Sequence, residues 1–382
     1  MAYRRRRVTY RRRRRITTTY TPRKRRRQTT TRRAQAKPCA CPGELSPGAK
    51  WALAQLDPFD SRCFGAKVPD SNTIPSIANA DTDILSVSST AVASDLTGRA
   101  YRPFYTQAVC AATSGASLAW GNFGGVGWSN RSKQASYVAA MELIRPIAHA
   151  VRLSCPLAPT AASGFVHVGL STEGMHESTQ AIKYPTTIAE MSGLSNYRRF
   201  TLASLTQAPV TVINKWLDDT AFRYSASNAG TGTSGTAMSF HTDYAWGTII
   251  IVVEGAPVSS QVLSVEHTLL SEGIPDKNGV IIGTQAAPNA PGILSSVSTM
   301  QTETGFTHTE AEQESYIARG VESLVRGAQN EGAAAFEEVA IPLLQRVGGS
   351  VARAGMRYAY NMITGRGGLP GVNANPNRLA IT

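Results

Sequence analysis

Outside its first 37 residues this 382-residue chain is short of charge, and inside them it has no acidic residue at all. Seventeen of its 39 Lys and Arg residues fall in that opening segment, so the remaining 22 are outnumbered by the 26 Asp and Glu. The formal net charge of +13 is therefore a property of the first segment alone. No apolar run approaches the ~20 residues needed to cross a bilayer as a helix. The densest stretch, Thr248 to Val253, is far shorter. The five cysteines, Cys39, Cys41, Cys63, Cys110 and Cys155, are odd in number and scattered. Only Cys39-Ala-Cys41 is close, and no second pair or histidine stands near it. That pattern gives neither a disulfide framework nor a zinc spacing and reads as free thiols in a reducing compartment.

Catalytic signatures are equally scarce. G-x-S-x-G, the Walker A loop and H-E-x-x-H do not occur. Gly230-Thr-Gly232-Thr-Ser-Gly235 spells the dinucleotide-loop pattern, but Thr236 to His241 reads extended where that loop must open a helix, so a nucleotide cofactor is not expected. The six histidines are far apart in sequence. His149, His167 and His267 fall on strand patterns and read as hydrogen-bonded core or interface residues.

What the chain does have is arginine. Arg4, Arg5, Arg6, Arg7, Arg11, Arg12, Arg13, Arg14, Arg15, Arg23, Lys24, Arg25, Arg26, Arg27, Arg32 and Arg33 give residues 1–45 the character of a disordered nucleic-acid-binding arm. Too few apolar side chains interrupt them to offset the entropy of ordering. The planar guanidinium suits bidentate phosphate contact, and each phosphate neutralised releases condensed counterions. Tyr3, Tyr10 and Tyr20 interleave the runs, in reach of bases for stacking or idle. Such blocks also serve as nuclear addresses, and no apolar stretch of a secretory signal follows them.

Beyond a proline-punctuated linker, Ser46 and Pro47 open a short helix carrying Trp51, Leu53 and Leu56, closed by Asp57-Pro58. Strand patterns then recur at Leu85 to Ser88, Tyr101 to Cys110, His149 to Cys155, Phe165 to Leu170, Pro209 to Ile213, Thr248 to Glu254 and Val262 to Leu270. Long Gly/Ser loops and few helical patterns between them predict an all-β antiparallel sandwich over residues 46–275. Ala112 to Ser136 and Ser225 to Ser239 read as surface insertions. Residues 276–308 read as loop. Residues 309–365 read as amphipathic helices: Thr309 and Glu312 form a capping box before Ile317, Val321, Leu324 and Val325, and Phe336, Val339, Leu343, Val347 and Val351 repeat at helical spacing. Residues 366–382 read as a flexible tail. Asp218-Asp219 offers either a solvated loop or, with a neighbouring subunit's carboxylates, a calcium site.

The order of these parts resembles the capsid proteins of nodaviruses. Glu254-Gly-Ala-Pro-Val-Ser-Ser-Gln-Val-Leu-Ser-Val-Glu266 is similar to that family's last two barrel strands, and Ser323 to Asn330 to the segment where its precursors are cut. The Tyr/Arg-rich start and Phe64-Gly-Ala-Lys-Val-Pro-Asp-Ser-Asn72 also resemble capsid proteins of bacilladnaviruses, single-stranded DNA viruses of diatoms. The resemblance implies an eight-stranded antiparallel jelly roll, an arm on the genome inside a shell, and helices on the inner surface. It implies as well a single-turnover cleavage after Asn330 assisted by Asp70, although Glu331 stands where the family has a small residue. The segment beyond Asn330 would then contact membranes once released, or else pack under the shell.

The sequence thus leads to a non-enzymatic coat subunit that self-assembles into a small icosahedral shell and packages single-stranded DNA or RNA. Its place would be the virion, with passage through the host nucleus and a surface receptor on the host. The alternative is a cellular nucleic-acid-binding protein with a β-sandwich ligand module. A hydrolase on the same scaffold comes third, because no convergent acid–base constellation is legible.

Overall fold

The computed structural model describes residues 45–92, 94–112, 117–120, 128–172, 184–226, 245–279, 281–303 and 306–331. Two units divide the chain, Met1–Glu44 and Leu45–Thr382, and all described residues belong to the second. The basic arm and the pattern from Phe336 to Val351 lie outside the described residues.

The first element is the helix α1 (Pro47–Leu56). Ser46 caps it, its hydroxyl accepting the Ala49 N–H at 3.1 Å, and Pro47 occupies a first-turn position that has no need of an N–H. Strands follow as β1 (Ile77–Ser88), β2 (Thr97–Arg102), β3 (Tyr105–Ala112), β4 (Leu118–Trp120) and β5 (Trp128–Asn130). After α2 (Gln134–Ala140) come β6 (Met141–Ser154) and β7 (Phe165–Ser171). Then α3 (Ile188–Ser192), β8 (Ser195–Thr201), α4 (Leu202–Leu205), β9 (Val210–Ile213), β10 (Ser225–Ala226), β11 (Thr248–Glu254) and β12 (Gln261–Pro275) complete the sandwich. The chain ends its described part with α5 (Pro291–Glu303), β13 (Thr307–Thr309) and α6 (Gln313–Glu331).

The strands form two antiparallel sheets. One has the order β1-β12-β6-β9-β13 with β10 beside β6, the other β4-β3-β2-β11-β7-β8 with β5 beside β3. The chain repeatedly crosses between them, from β1 to β2, from β3 and β5 back to β6, from β6 to β7 and from β11 to β12, an arrangement consistent with a jelly roll.

Alternation along the strands sorts three apolar clusters. Between the sheets, Val151, Leu153 and Val265 meet Val166, Val168, Ile249 and Ile251. Ala150, one residue from Val151, faces away and joins Ile147, Ile213 and Leu270 under a cover of α1, α5 and α6. Ile250 and Val252 point to the far face of the other sheet, which Leu118, Tyr184 and Met191 cover. β11 is therefore buried on both faces, the physical reason why Thr248 to Val253 is continuously apolar rather than alternating.

Three expectations are corrected. The protein is not purely all-β: six α-helices stand among the described residues, and three of them cover one sheet. Residues 276–308 are not only loop, because α5 runs through them. Its apolar contacts are Ile293, Leu294, Val297 and Met300, set among Ser and Thr, too sparse a stripe to read as a helix. The Ala112 to Ser136 stretch is not only a surface insertion: it carries β4 and β5, and it buries Leu118 and Arg131. β8 is not marked in the sequence, because Ser195-Asn-Tyr-Arg-Arg-Phe-Thr201 is an edge strand without a fully buried face.

Candidate functional site

The chain joins the sandwich through α1, which makes the outer face of the β1-β12-β6-β9 sheet the candidate functional surface. α1 docks on β6, with the Gln55 side chain donating to the Ile147 carbonyl at 2.7 Å and accepting from Gln301 of α5 at 3.2 Å. Trp51, Leu53 and Leu56 are fully buried there, and Trp51 meets Phe222 edge-on with ring centroids 5.7 Å apart. α5 and α6 pack on one another over the same face, contributing Ile293, Val297, Met300, Tyr316, Val321 and Leu324. The expected capping box is present, with Thr309 and Glu312 bonded reciprocally ahead of α6. Glu312 also receives Arg198 of β8 at 2.8 and 3.1 Å, tying the helix start to the edge of the second sheet.

Beside α5 a cleft of about 560 Å³ is lined by Val68, Asp70, Trp216, Asp219, Phe222 and Arg223 together with Leu294, Ser295 and Ser298. It brings together two residues singled out from sequence for different roles, Asp70 and Asp219. Asp70 is ion-paired with Arg145 of β6, whose guanidinium also donates to Glu272 of β12 at 3.0 and 2.7 Å and to the Phe222 carbonyl at 2.9 Å. Arg145 is held above its ordinary pKa although burial opposes this, because Glu272 and Asp70 face it. Asp218 commits a carboxylate oxygen to the Thr220 N–H at 2.7 Å and to the Thr220 hydroxyl, capping a short turn. Among the described residues no group of three or more His, Cys, Asp or Glu is placed to hold a metal ion. Asn330 belongs to the last turn of α6, whereas Asp70 sits in the passage before β1. No described helix is long and apolar enough to cross a membrane.

The strand histidines are hydrogen-bonded, as their positions implied. His167 bonds Tyr197 at 2.9 Å and Glu254 at 3.0 Å. His149 and His267, both fully buried between the sheets, lie within a polar network containing Asp81, Arg131 and Asn214. Sequence reasoning missed Arg131. A lone arginine in a Gly/Ser-rich stretch reads as solvated, and only the tertiary fold sets its guanidinium against Asp81 and His267. A second missed group is Lys67, whose ammonium is filled by the Ser76, Thr284 and Gln285 carbonyls at 2.7, 3.0 and 2.9 Å.

No protein-family model matches the chain, and no curated protein matches it. Among solved structures, it is similar to one of the T13 IBDV viral particle at 10% identity, covering 75% of this chain and 99% of that one with a TM-score of 0.49. A structure of the Gt strain of infectious bursal disease virus matches at 8% identity over 70% of this chain and 98% of that one, TM-score 0.45. One of tobacco necrosis virus matches at 15% identity over 53% of this chain and 97% of that one, TM-score 0.36. Likenesses at this level assign neither a family nor a function, and the fold rests on the strand order itself.

Proposed function

We propose that this chain is a coat subunit, many copies of which close into a small icosahedral shell around single-stranded nucleic acid. The observation that carries the proposal is the separation of charge and structure. Seventeen basic residues without an acid sit in one segment, and that segment leads into α1, on the helix-covered face of a body that is itself slightly acidic. A charged polymer inside a shell needs this division: phosphate contacts on one side, neutral packing surfaces elsewhere. Eight strands, β1, β12, β6 and β9 against β2, β11, β7 and β8, support reading the sandwich as the eight-stranded jelly roll that the resemblance implies. The face carrying α1, α5 and α6 is then the genome-facing one, and kinship with nodavirus or bacilladnavirus coats rests on the short motifs quoted above. On this reading the protein resides in the virion, with residues 1–45 as arm, 46–275 as shell domain and 309–365 as internal helical segment.

Deletion of residues 1–37 tests the division of labour. For single strands the logarithm of affinity falls by ~0.7 per neutralised phosphate for each decade of salt. The full chain should show a steep slope and the truncated chain a nearly flat one, while the truncated chain keeps its cooperative unfolding transition. An unchanged slope would place the nucleic-acid surface on the β body and remove the arm from its role.

A further inference from the structure

His149 of β6 and His267 of β12 face each other between the sheets, both 0% exposed, with their Nε2 atoms 2.5 Å apart and their rings edge to face. Each ring's other nitrogen meets a donor. Arg131 Nη1 lies 3.0 Å from His267 Nδ1, and a guanidinium has no acceptor, so His267 Nδ1 must accept. Asn214 Nδ2 lies 2.8 Å from His149 Nδ1. The amide's orientation is fixed independently, because Nδ2 also donates to the Gly247 carbonyl at 2.8 Å and Oδ1 accepts the Lys215 N–H at 2.7 Å. With both Nδ1 atoms accepting, the ring hydrogens fall to the Nε2 atoms, which have the narrow gap between the rings and, for His267, the main chain of Arg102 to meet. A further proton has to displace Arg131 or Asn214 from an Nδ1, and it sets a positive charge among buried donors.

The surrounding charges do not relieve this. β1 presents Asp81 and Asp83, but both carboxylates are engaged: Asp81 with Arg131 at 3.0 Å and Lys133 at 3.1 Å, Asp83 with Ser132 and, at 3.6 Å, Arg131. From β2 come Arg102, whose Nη2 donates to the Trp246 carbonyl at 3.1 Å, and Tyr101, which lies edge-on to His267; Tyr137 of α2 stands near Asp81. Burial, reinforced by Arg131, pushes both histidines well below the ordinary histidine range. Arg102 adds to the effect on His149, and His149 to that on His267.

We propose that the His149–His267 pair is an acid-sensitive latch on the sandwich: proton uptake cannot be accommodated between the sheets, so acidification parts β6 and β12 from the layer they face. This device belongs to the single chain and operates whether or not copies assemble. In a shell of such chains it would couple an acidic compartment to loosening of the coat.

The sign follows from linkage. The unfolded chain takes up these protons below about pH 6.5 and the folded chain does not, so stability falls as pH drops through that value. Each site lowers the folded-to-unfolded ratio by up to about tenfold per pH unit, and the pair by up to about a hundredfold. Urea unfolding of the full chain between pH 7.5 and 5 should show this dependence, and the H149Q/H267Q double variant should lose it, keeping only the shallower slope left by His167 and His308. A folded double variant with the parent's slope would overturn the proposal. Should the double variant fail to fold, deuterium exchange at the imidazole C2 carbons of the parent protein, read by mass spectrometry, decides instead. The peptides bearing His149 and His267 should stay slow until the sandwich opens and then exchange together. Titration of both near pH 6.5 with the near-ultraviolet circular dichroism unchanged would show that the pair takes protons without opening, and the latch would be wrong.

Discussion

Arg145 and Glu272 are direct register partners on the adjacent strands β6 and β12, and Arg145 donates to one Glu272 oxygen from both Nε and Nη2 at 3.0 and 2.7 Å. Both side chains are almost wholly buried. Glu272 also accepts from the Ser76 hydroxyl at 2.5 Å and the Val68 N–H at 3.2 Å, so one carboxylate joins the sandwich to the passage that precedes β1. Buried pairs of this kind contribute little net stability against an apolar replacement, yet removing one partner strands the other charge.

Glu272→Gln should accordingly destabilise the fold by ~3–5 kcal/mol in urea unfolding. Adding Arg145→Met should recover part of that loss, since the uncompensated cation is then gone. Equal losses in the single and double variants would mean that the pair is held by its surroundings and not by its charge.

Glu312 gives a pH prediction of the same sign as the histidine latch, in a more acidic range. The hydrogen bonds from Arg198, then that from the Thr309 N–H, pull its carboxyl down to about 2. A depressed carboxylate stabilises the fold above its ordinary pKa and loses that contribution as pH falls from about 4.5 toward about 2. Arg198 and Glu312 are 35% and 44% exposed, so screening keeps the effect to roughly 1 kcal/mol or less. The unfolding midpoint of Glu312→Gln should lie slightly below the parent's at pH 7 and converge with it near pH 2. Midpoints that differ by the same amount throughout would assign the loss to the helix cap alone.

Cleavage after Asn330 would need Asp70 to exchange protons with the Asn330 peptide in a dry site. Asp70 is instead ion-paired with the buried Arg145 guanidinium, and Glu331 brings a further charge to the bond in question. Intact-mass spectrometry of aged, assembled protein should therefore show one 40.8 kDa species. A fragment ending at Asn330 that disappears in Asp70→Asn would contradict this and give Asp70 the catalytic part.

Much of the sandwich was legible because its strands alternate or, like β11, are continuously apolar, and because Ser46-Pro47 and Thr309 with Glu312 are strong local signals for helix starts. β8 and α5 were not legible, for the same reason: their apolar positions are few and are completed by tertiary neighbours rather than by local pattern. The candidate site was half visible. Asp70 stood out by resemblance, but its partner Arg145 reads in sequence as one of three charges on a mostly apolar strand, and nothing local ties it to Glu272, 127 residues away. The histidines could be placed on strands from alternation alone. Their meeting depends on β6 and β12 being neighbours, which is a property of the sheet order.

Negative-stain microscopy of the purified full chain, combined with nuclease digestion, decides whether the chain closes into particles around nucleic acid. Uniform closed particles that protect a nucleic acid from nuclease are expected, and empty or disordered assemblies once residues 1–37 are removed. Monomers that persist at high protein concentration and in assembly-promoting salt, with bound nucleic acid fully digestible, would contradict it and favour a cellular nucleic-acid-binding protein with a β-sandwich module.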